Sequence, residues 1–82
     1  MAKKTDLIFD QVTEIMKRHT KAEVEFSMST HITADLAIDS VAMFELIMDV
    51  EEQFDIGFSV EEGATLDTVK SLVEAISNKT TS

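Results

Sequence analysis

The sequence predicts an all-α fold: a small bundle of three main helices and one short helix, with a long first loop. The 82 residues suffice for a single domain spanning 1–82, which must stabilise itself with little buried surface. Pro and Cys are absent and Gly occurs twice, so the turns of a multi-stranded sheet and the disulfides of a stapled fold are missing. Apolar residues, 44% of the chain, recur at helical spacing in three segments. Helices are therefore the expected elements.

The first helix is predicted from Thr5 to His19. One face carries its apolar residues, namely Ile8, Val12, Ile15 and Met16. Thr5 and Asp6 suit its amino-terminal end, and His19 its carboxyl-terminal end.

A long ordered loop is predicted between Lys21 and Asp35. Val24, Phe26 and Met28 alternate with polar residues as in a strand. No second strand-like segment exists to pair with them, so we expect Phe26 and Ile32 to hold a loop in place.

The central helix is predicted from Ser40 to Phe54. Its apolar stripe consists of Met43, Leu46, Ile47, Val50 and Phe54. Phe54 is the largest residue on this stripe, and we expect it to be a core residue. A very short helix is predicted from Val60 to Ala64. The last helix follows, with Asp67 as its cap and with Leu66, Val69, Leu72, Val73 and Ile76 on its apolar face. Residues from about 78 to 82 read as a disordered tail.

A second apolar group lies on another face of the central helix. It comprises Val41, Phe44 and Met48, with Glu45, Glu51 and Glu52 around it. So small a domain cannot bury two faces of one helix, so this group predicts an exposed docking surface. The alternative is that Phe44 and Met48 pack beneath the long loop as extra core.

The charge distribution favours protein partners. There are 7 basic and 16 acidic residues, for a net charge of -9, and no Lys or Arg occurs from Ala22 to Val69. A polyanionic centre repels nucleic acid and anionic membranes and attracts basic proteins. A solvated surface that keeps the chain soluble is the alternative interpretation.

No catalytic or metal site is predicted. The two His residues, His19 and His31, lie in neither a G-x-S-x-G nor an H-E-x-x-H context, and His31 reads as a loop residue. The acids from Asp49 to Glu62 do not follow the calcium-loop order. We therefore expect a protein that is not an enzyme, and we expect it to be a monomer. We also expect it in the cytoplasm, because no segment has signal-peptide or membrane-span character.

The most informative segment begins at Asp39 and Ser40. Alone, this pair is explained by helix capping. The longer pattern runs Asp-Leu-Ala-Ile-Asp-Ser-Val from Asp35, then Glu45-Leu46, then Glu-Glu-x-Phe-Asp-Ile from Glu51. This pattern, together with the acidity and length of the chain, resembles the acyl carrier protein family.

The resemblance implies a covalent cofactor and a set of partners. Ser40 would carry 4'-phosphopantetheine, and Asp39 would support its transfer. The family's partner-docking face would correspond to Val41, Phe44, Glu45, Met48 and Glu52. The partners implied are a phosphopantetheinyl transferase and the acyl-loading, synthase and acyltransferase enzymes of fatty-acid, lipid or polyketide-type biosynthesis. Acyl chains would lie among Leu46, Ile47, Val50 and Phe58, which core packing explains equally well.

Three residues depart from the family pattern. Ala37 replaces a frequent Gly, Ser59 a frequent Pro, and Val60 an acidic cap of the short helix. These departures favour a carrier dedicated to one specialised pathway. An aminoacyl or peptidyl carrier with the same Ser40 chemistry is an alternative, and an unmodified acidic helical adaptor is a more distant one.

Overall fold

A computed structural model describes residues 4–20 and 25–80 and confirms the all-α fold. Its four helices are α1 (Lys4–Lys17), α2 (Ser40–Phe54), α3 (Val60–Ala64) and α4 (Val69–Thr80). The predicted bounds of α2 and α3 agree with the structure. Within the described ranges no helix is long and apolar enough to cross a membrane.

The core lies where α1 packs against α2 and α4. From the helices, the fully enclosed side chains are Val12, Ile15, Met16, Leu46, Val50, Val69, Leu72, Val73 and Ile76. The predicted core role of Phe54 needs correction, because Phe54 is only half-buried at the edge of this cluster. Leu46 and Val50 are the residues of α2 that the core encloses.

The end of α1 differs from the prediction. The helix ends at Lys17, and the next two N–H groups, those of Arg18 and His19, donate to carbonyls three residues back, in a tightened last turn. The His19 side chain, instead of simply ending the helix, lies 2.5 Å (Nε2 to Oδ2) from Asp49 of α2. This contact joins α1 to α2.

The first loop is held on α4 by backbone hydrogen bonds. The Val69 and Lys70 N–H groups donate to the Thr30 and Met28 carbonyls, both at 2.9 Å. Ile32 is fully buried and Phe26 half-buried, as predicted, while Lys21 and Val24 lie outside the described residues. A single bridge, between His31 and Thr68, is the only strand-like pairing in the described part of the chain.

Both ends of α4 differ from the prediction. Thr68, not Asp67, caps the helix, since its hydroxyl accepts the Ser71 N–H at 3.1 Å. The helix continues through Thr80, whose hydroxyl donates to the Ile76 carbonyl at 2.9 Å. Residues 78–80 are therefore helical where a tail was expected, and 81–82 lie outside the described residues.

Candidate functional site

Ser40 is the first residue of α2, and its side chain is exposed. The first N–H groups of a helix have no partner within the helix, and the helix dipole is positive at this end. A hydroxyl at this position can therefore carry an anionic group where negative charge is favoured. The chemistry available at Ser40 is that of an acceptor for a phosphoryl-linked group.

Asp39 caps the same helix. Its backbone is extended, with φ of -82° and ψ of -177°, and its Oδ1 accepts the Ala42 N–H at 2.8 Å. The capping interpretation of this residue is thus correct in structural terms. It does not compete with a role at Ser40, because the cap fixes the helix start on which the hydroxyl sits.

The three residues before Asp39 fix the approach to the site. Leu36 and Ile38 are buried, and the Leu36 carbonyl accepts a hydrogen bond from the Thr20 hydroxyl at 2.5 Å. Ala37 lies between them, exposed, with a left-handed backbone at φ 54°. This conformation gives a physical reason for glycine at the position, since a Cβ is disfavoured there.

A cavity of about 450 Å³ opens beside Ser40, between α2 and α3. We call it the α2–α3 cavity. From α2 it is lined by Ser40, Met43, Phe44, Ile47, Met48 and Glu51, and from the α3 region by Phe58, Ser59, Val60, Gly63, Ala64 and Leu66, with Thr33 from the loop. Its surroundings are mostly apolar, so it suits an aliphatic group.

Two of the four residues expected around an acyl chain line this cavity. Ile47 and Phe58 do so, whereas Leu46 and Val50 face the helical core and are fully buried. Gly63 lies close to Ile47: a Cβ added at Gly63 would stand 3.6 Å from Ile47 Cδ1, in ordinary van der Waals contact.

The predicted apolar face of α2 is exposed. Val41, Phe44 and Met48 are 67%, 68% and 63% exposed, which rules out the alternative of packing beneath the loop. Glu45 and Glu52 are exposed as well. We call Val41, Phe44, Glu45, Met48 and Glu52 the docking face, after the role that the sequence predicts for them.

Glu51 is not part of the acidic rim that the sequence indicated. Its side chain is half-buried, and its Oε2 accepts the Phe58 N–H at 2.8 Å. Glu51 therefore holds the segment before α3 against α2.

The short helix α3 has its own cap. The Ser59 hydroxyl accepts the Glu62 N–H at 3.1 Å, and Glu62 Oε1 accepts the Ser59 N–H at 3.0 Å. This reciprocal pair explains how α3 forms with Ser59 and Val60 in place of the usual residues.

Lys79 of α4 reaches α3, a contact that the sequence did not predict. Its Nζ lies 2.7 Å from Glu62 Oε2 and 5.3 Å from the centroid of the Phe58 ring. The Lys79 ammonium, with the Ser59 N–H, holds the pKa of Glu62 down to about 2. The two residues of this ion pair are 17 positions apart, so the contact is tertiary and not local.

Comparison with known proteins shows which family this sequence is similar to. A family model described as the phosphopantetheine attachment site matches residues 10–76. The chain is 37% identical over 74 residues to the acyl carrier protein of Kocuria rhizophila, covering 89% of this chain and 91% of the relative. It is 41% identical over 63 residues to an acyl carrier protein of Buchnera aphidicola, covering 77% and 78%.

A solved structure shares the fold. The acyl carrier protein from Enterococcus faecalis aligns with a TM-score of 0.79 and 23% identity, covering 95% of this chain and all of that one. The sequence matches extend over most of the chain, and the cofactor of the matched family is phosphopantetheine. The chain belongs to the acyl carrier protein family.

Proposed function

We propose that Ser40 carries the 4'-phosphopantetheine of this carrier and that acyl chains bound to it enter the α2–α3 cavity. The observation that carries the proposal is that Ser40 both begins α2 and lines the cavity, with an exposed side chain. An arm attached there starts beside the space that its cargo would occupy.

The other serine beside the cavity fits less well. Ser59 also lines the cavity and is exposed, but its hydroxyl accepts the Glu62 N–H as the cap of α3. Modification of Ser59 would break this cap. Ser40 has no such structural task, because Asp39 caps α2.

The residues present fit the cofactor. Bound to Ser40, phosphopantetheine supplies the thiol for thioester chemistry, which a chain without Cys cannot supply itself. The α2 amino terminus favours the phosphodiester charge by about 0.3 to 1 kcal/mol. The role of this chain is to hold the arm and the acyl group and to present them to enzymes, without catalysing the reactions itself.

Asp39 supports the transfer in this proposal. Its Oδ1 caps the helix, and its carboxylate belongs to the residue that directly precedes the acceptor Ser40, which the transferase must approach. Asp39→Asn keeps an oxygen for the cap but removes the charge. We expect this variant to fold with near-normal stability and to be modified more slowly, whereas unchanged modification would restrict Asp39 to capping.

The cargo best supported by the cavity is an aliphatic acyl chain. Each buried methylene contributes about 0.8 kcal/mol. Among the residues that line the cavity, the one carboxylate is Glu51, whose Oε2 already accepts the Phe58 N–H. A charged α-amino group would lose its hydration there without a dedicated partner. The melting temperature should therefore rise with acyl length, and a carrier loaded with an aminoacyl group should lack this increase.

The docking face is proposed as the surface that partner enzymes contact. Its apolar centre is exposed, and the carboxylates of Glu45 and Glu52 extend it toward basic partners. The phosphopantetheinyl transferase and the loading, synthase and acyltransferase enzymes would dock here, on a carrier monomer in the cytoplasm. The departures at Ala37, Ser59 and Val60 are compatible with a specialised pathway.

The test of the attachment site is intact mass after incubation with coenzyme A and a phosphopantetheinyl transferase. We expect the parent chain and Ser59→Ala to gain one phosphopantetheine and Ser40→Ala to gain none. A modified Ser40→Ala protein would refute the assignment.

A further inference from the structure

The α3 helix borders the α2–α3 cavity but is weakly anchored by apolar burial. None of its five residues is buried, and Val60 is 87% exposed. Val60, Gly63 and Ala64 nevertheless line the cavity. Elements with few buried apolar contacts open locally at low cost. Polar contacts must therefore contribute to keeping α3 beside α2.

Lys79 of α4 makes such contacts. It lies in the last turn of α4, just after the fully buried Ile76. Its Nζ pairs with Glu62 of α3 at 2.7 Å and lies 5.3 Å from the ring of Phe58, which lines the cavity. The Lys79 side chain is only 25% exposed, so this pair is better shielded than the other lysine pair of α4, Lys70 with Glu74, at 3.8 Å and 66% exposure of Lys70.

We propose that Lys79 is a positioning residue for the cargo: it connects α3 and Phe58 to the end of α4 and so keeps α3 in place as one wall of the α2–α3 cavity. This inference rests on the proposed use of the cavity for acyl chains. A second contact in this region is the hydrogen bond from the Phe58 N–H to Glu51. It holds the residues before α3 but does not contact α3 itself. Removing the Lys79 contacts should therefore free α3 while the core helices stay packed.

The first readout is amide hydrogen exchange in the unmodified 82-residue chain, so it does not depend on the assignment of Ser40. The reporters are the hydrogen-bonded N–H groups of Gly63, Thr65 and Leu66. An ion pair and a cation–π contact at a partly exposed site together correspond to about a 3- to 10-fold change in an opening equilibrium. We expect Lys79→Gln to exchange these amides faster by this factor, with exchange in the middle of α2 unchanged.

Two variants serve as controls. Lys79→Arg keeps a cation over Phe58 and beside Glu62 and should restore slow exchange. Lys70→Gln removes the same charge from the same helix without touching α3. Equal acceleration in Lys70→Gln and Lys79→Gln, faster exchange throughout α2, or no acceleration at all would overturn the proposal.

The second readout tests the cavity itself. Met43 and Met48 both line the cavity, but Met43 is half-buried, whereas Met48 is already 63% exposed. The oxidation rate of Met48 should therefore change little, and Met48 provides an internal reference. Hydrogen peroxide oxidises each thioether to the sulfoxide and is itself reduced to water. We expect Lys79→Gln to raise the Met43 oxidation rate relative to Met48. Faster α3 exchange with an unchanged ratio would show that Lys79 stabilises α3 without shielding the cavity-lining Met43, which would also overturn the proposal.

Discussion

Replacing Ala37 with Gly should stabilise the carrier. Ala37 is exposed and has φ 54°, so its side chain makes little packing contribution while its backbone adopts the left-handed region. That region costs a residue with a Cβ about 1 to 2 kcal/mol. The greater freedom of glycine in the unfolded chain offsets roughly 0.5 to 1 kcal/mol of the relief. The net gain should be about 0.5 to 1 kcal/mol.

The assay is thermal and urea unfolding followed by circular dichroism. For a domain of this size the gain corresponds to a rise in melting temperature of about 2 to 8 °C. A control is Ala75→Gly, inside α4, which should lose about 1 kcal/mol or more, because a helical glycine is disfavoured and Ala75 also packs against the core. If Ala37→Gly destabilised the protein as Ala75→Gly does, the backbone strain inferred at Ala37 would be refuted.

Three further predictions concern the core, the docking face and Glu62. Leu46→Ala should lower the free energy of unfolding, measured in urea, by about 2 to 5 kcal/mol. Because Phe54 is only half-buried, Phe54→Ala should lower it by about half of the 3 to 5 kcal/mol typical of an enclosed Phe. The reverse order would contradict the core described above. The double variant Glu45→Lys with Glu52→Lys should slow modification by the transferase while the fold persists. The control, Asp10→Lys with Glu25→Lys, makes an equal charge change on exposed residues away from the docking face and should slow modification less. Equal slowing by both variants would mean that net charge alone matters. The folded-state pKa of Glu62 is lowered from 4.5 to about 2, so its stabilising contribution is complete above about pH 4.5 and is lost as the pH falls toward 2. In unfolding titrations, the stability difference between the parent chain and Glu62→Gln should therefore shrink over that range. A constant difference would contradict the Lys79 pairing.

Local signals predicted much of this fold. The apolar spacing and the Asp39 cap define α2, and the structure begins and ends this helix at the predicted residues. The exposure of Val41, Phe44 and Met48 was predictable as well, since one helix of a small domain cannot bury two sides. The resemblance to acyl carrier proteins includes Asp39 and Ser40, which capping also indicates, and Phe54, which the apolar spacing also indicates.

What the sequence could not predict depends on tertiary contacts. The pairs of His19 with Asp49 and of Lys79 with Glu62 join residues 30 and 17 positions apart, and no local pattern brings them together. Apolar spacing alone also could not separate Leu46 and Val50, which face the core, from Ile47, which faces the cavity. The cap at Thr68 was missed because Asp67 and Thr68 are both good capping residues, and the Ser71 backbone decides between them.

The most direct test of the central claim is to map the modified residue in the parent protein. Trypsin is unsuitable, because the absence of Lys and Arg from Ala22 to Val69 leaves Ser27, Ser29, Ser40 and Ser59 in one peptide. Cleavage after Asp39 and Glu45 instead releases the segment 40–45, in which Ser40 is the only hydroxyl-bearing residue. We predict that the phosphopantetheine appears on this peptide in mass spectrometry after treatment with the transferase and coenzyme A. An unmodified 40–45 peptide, with the added mass on the peptide that contains Ser59 or on any other, would contradict the account.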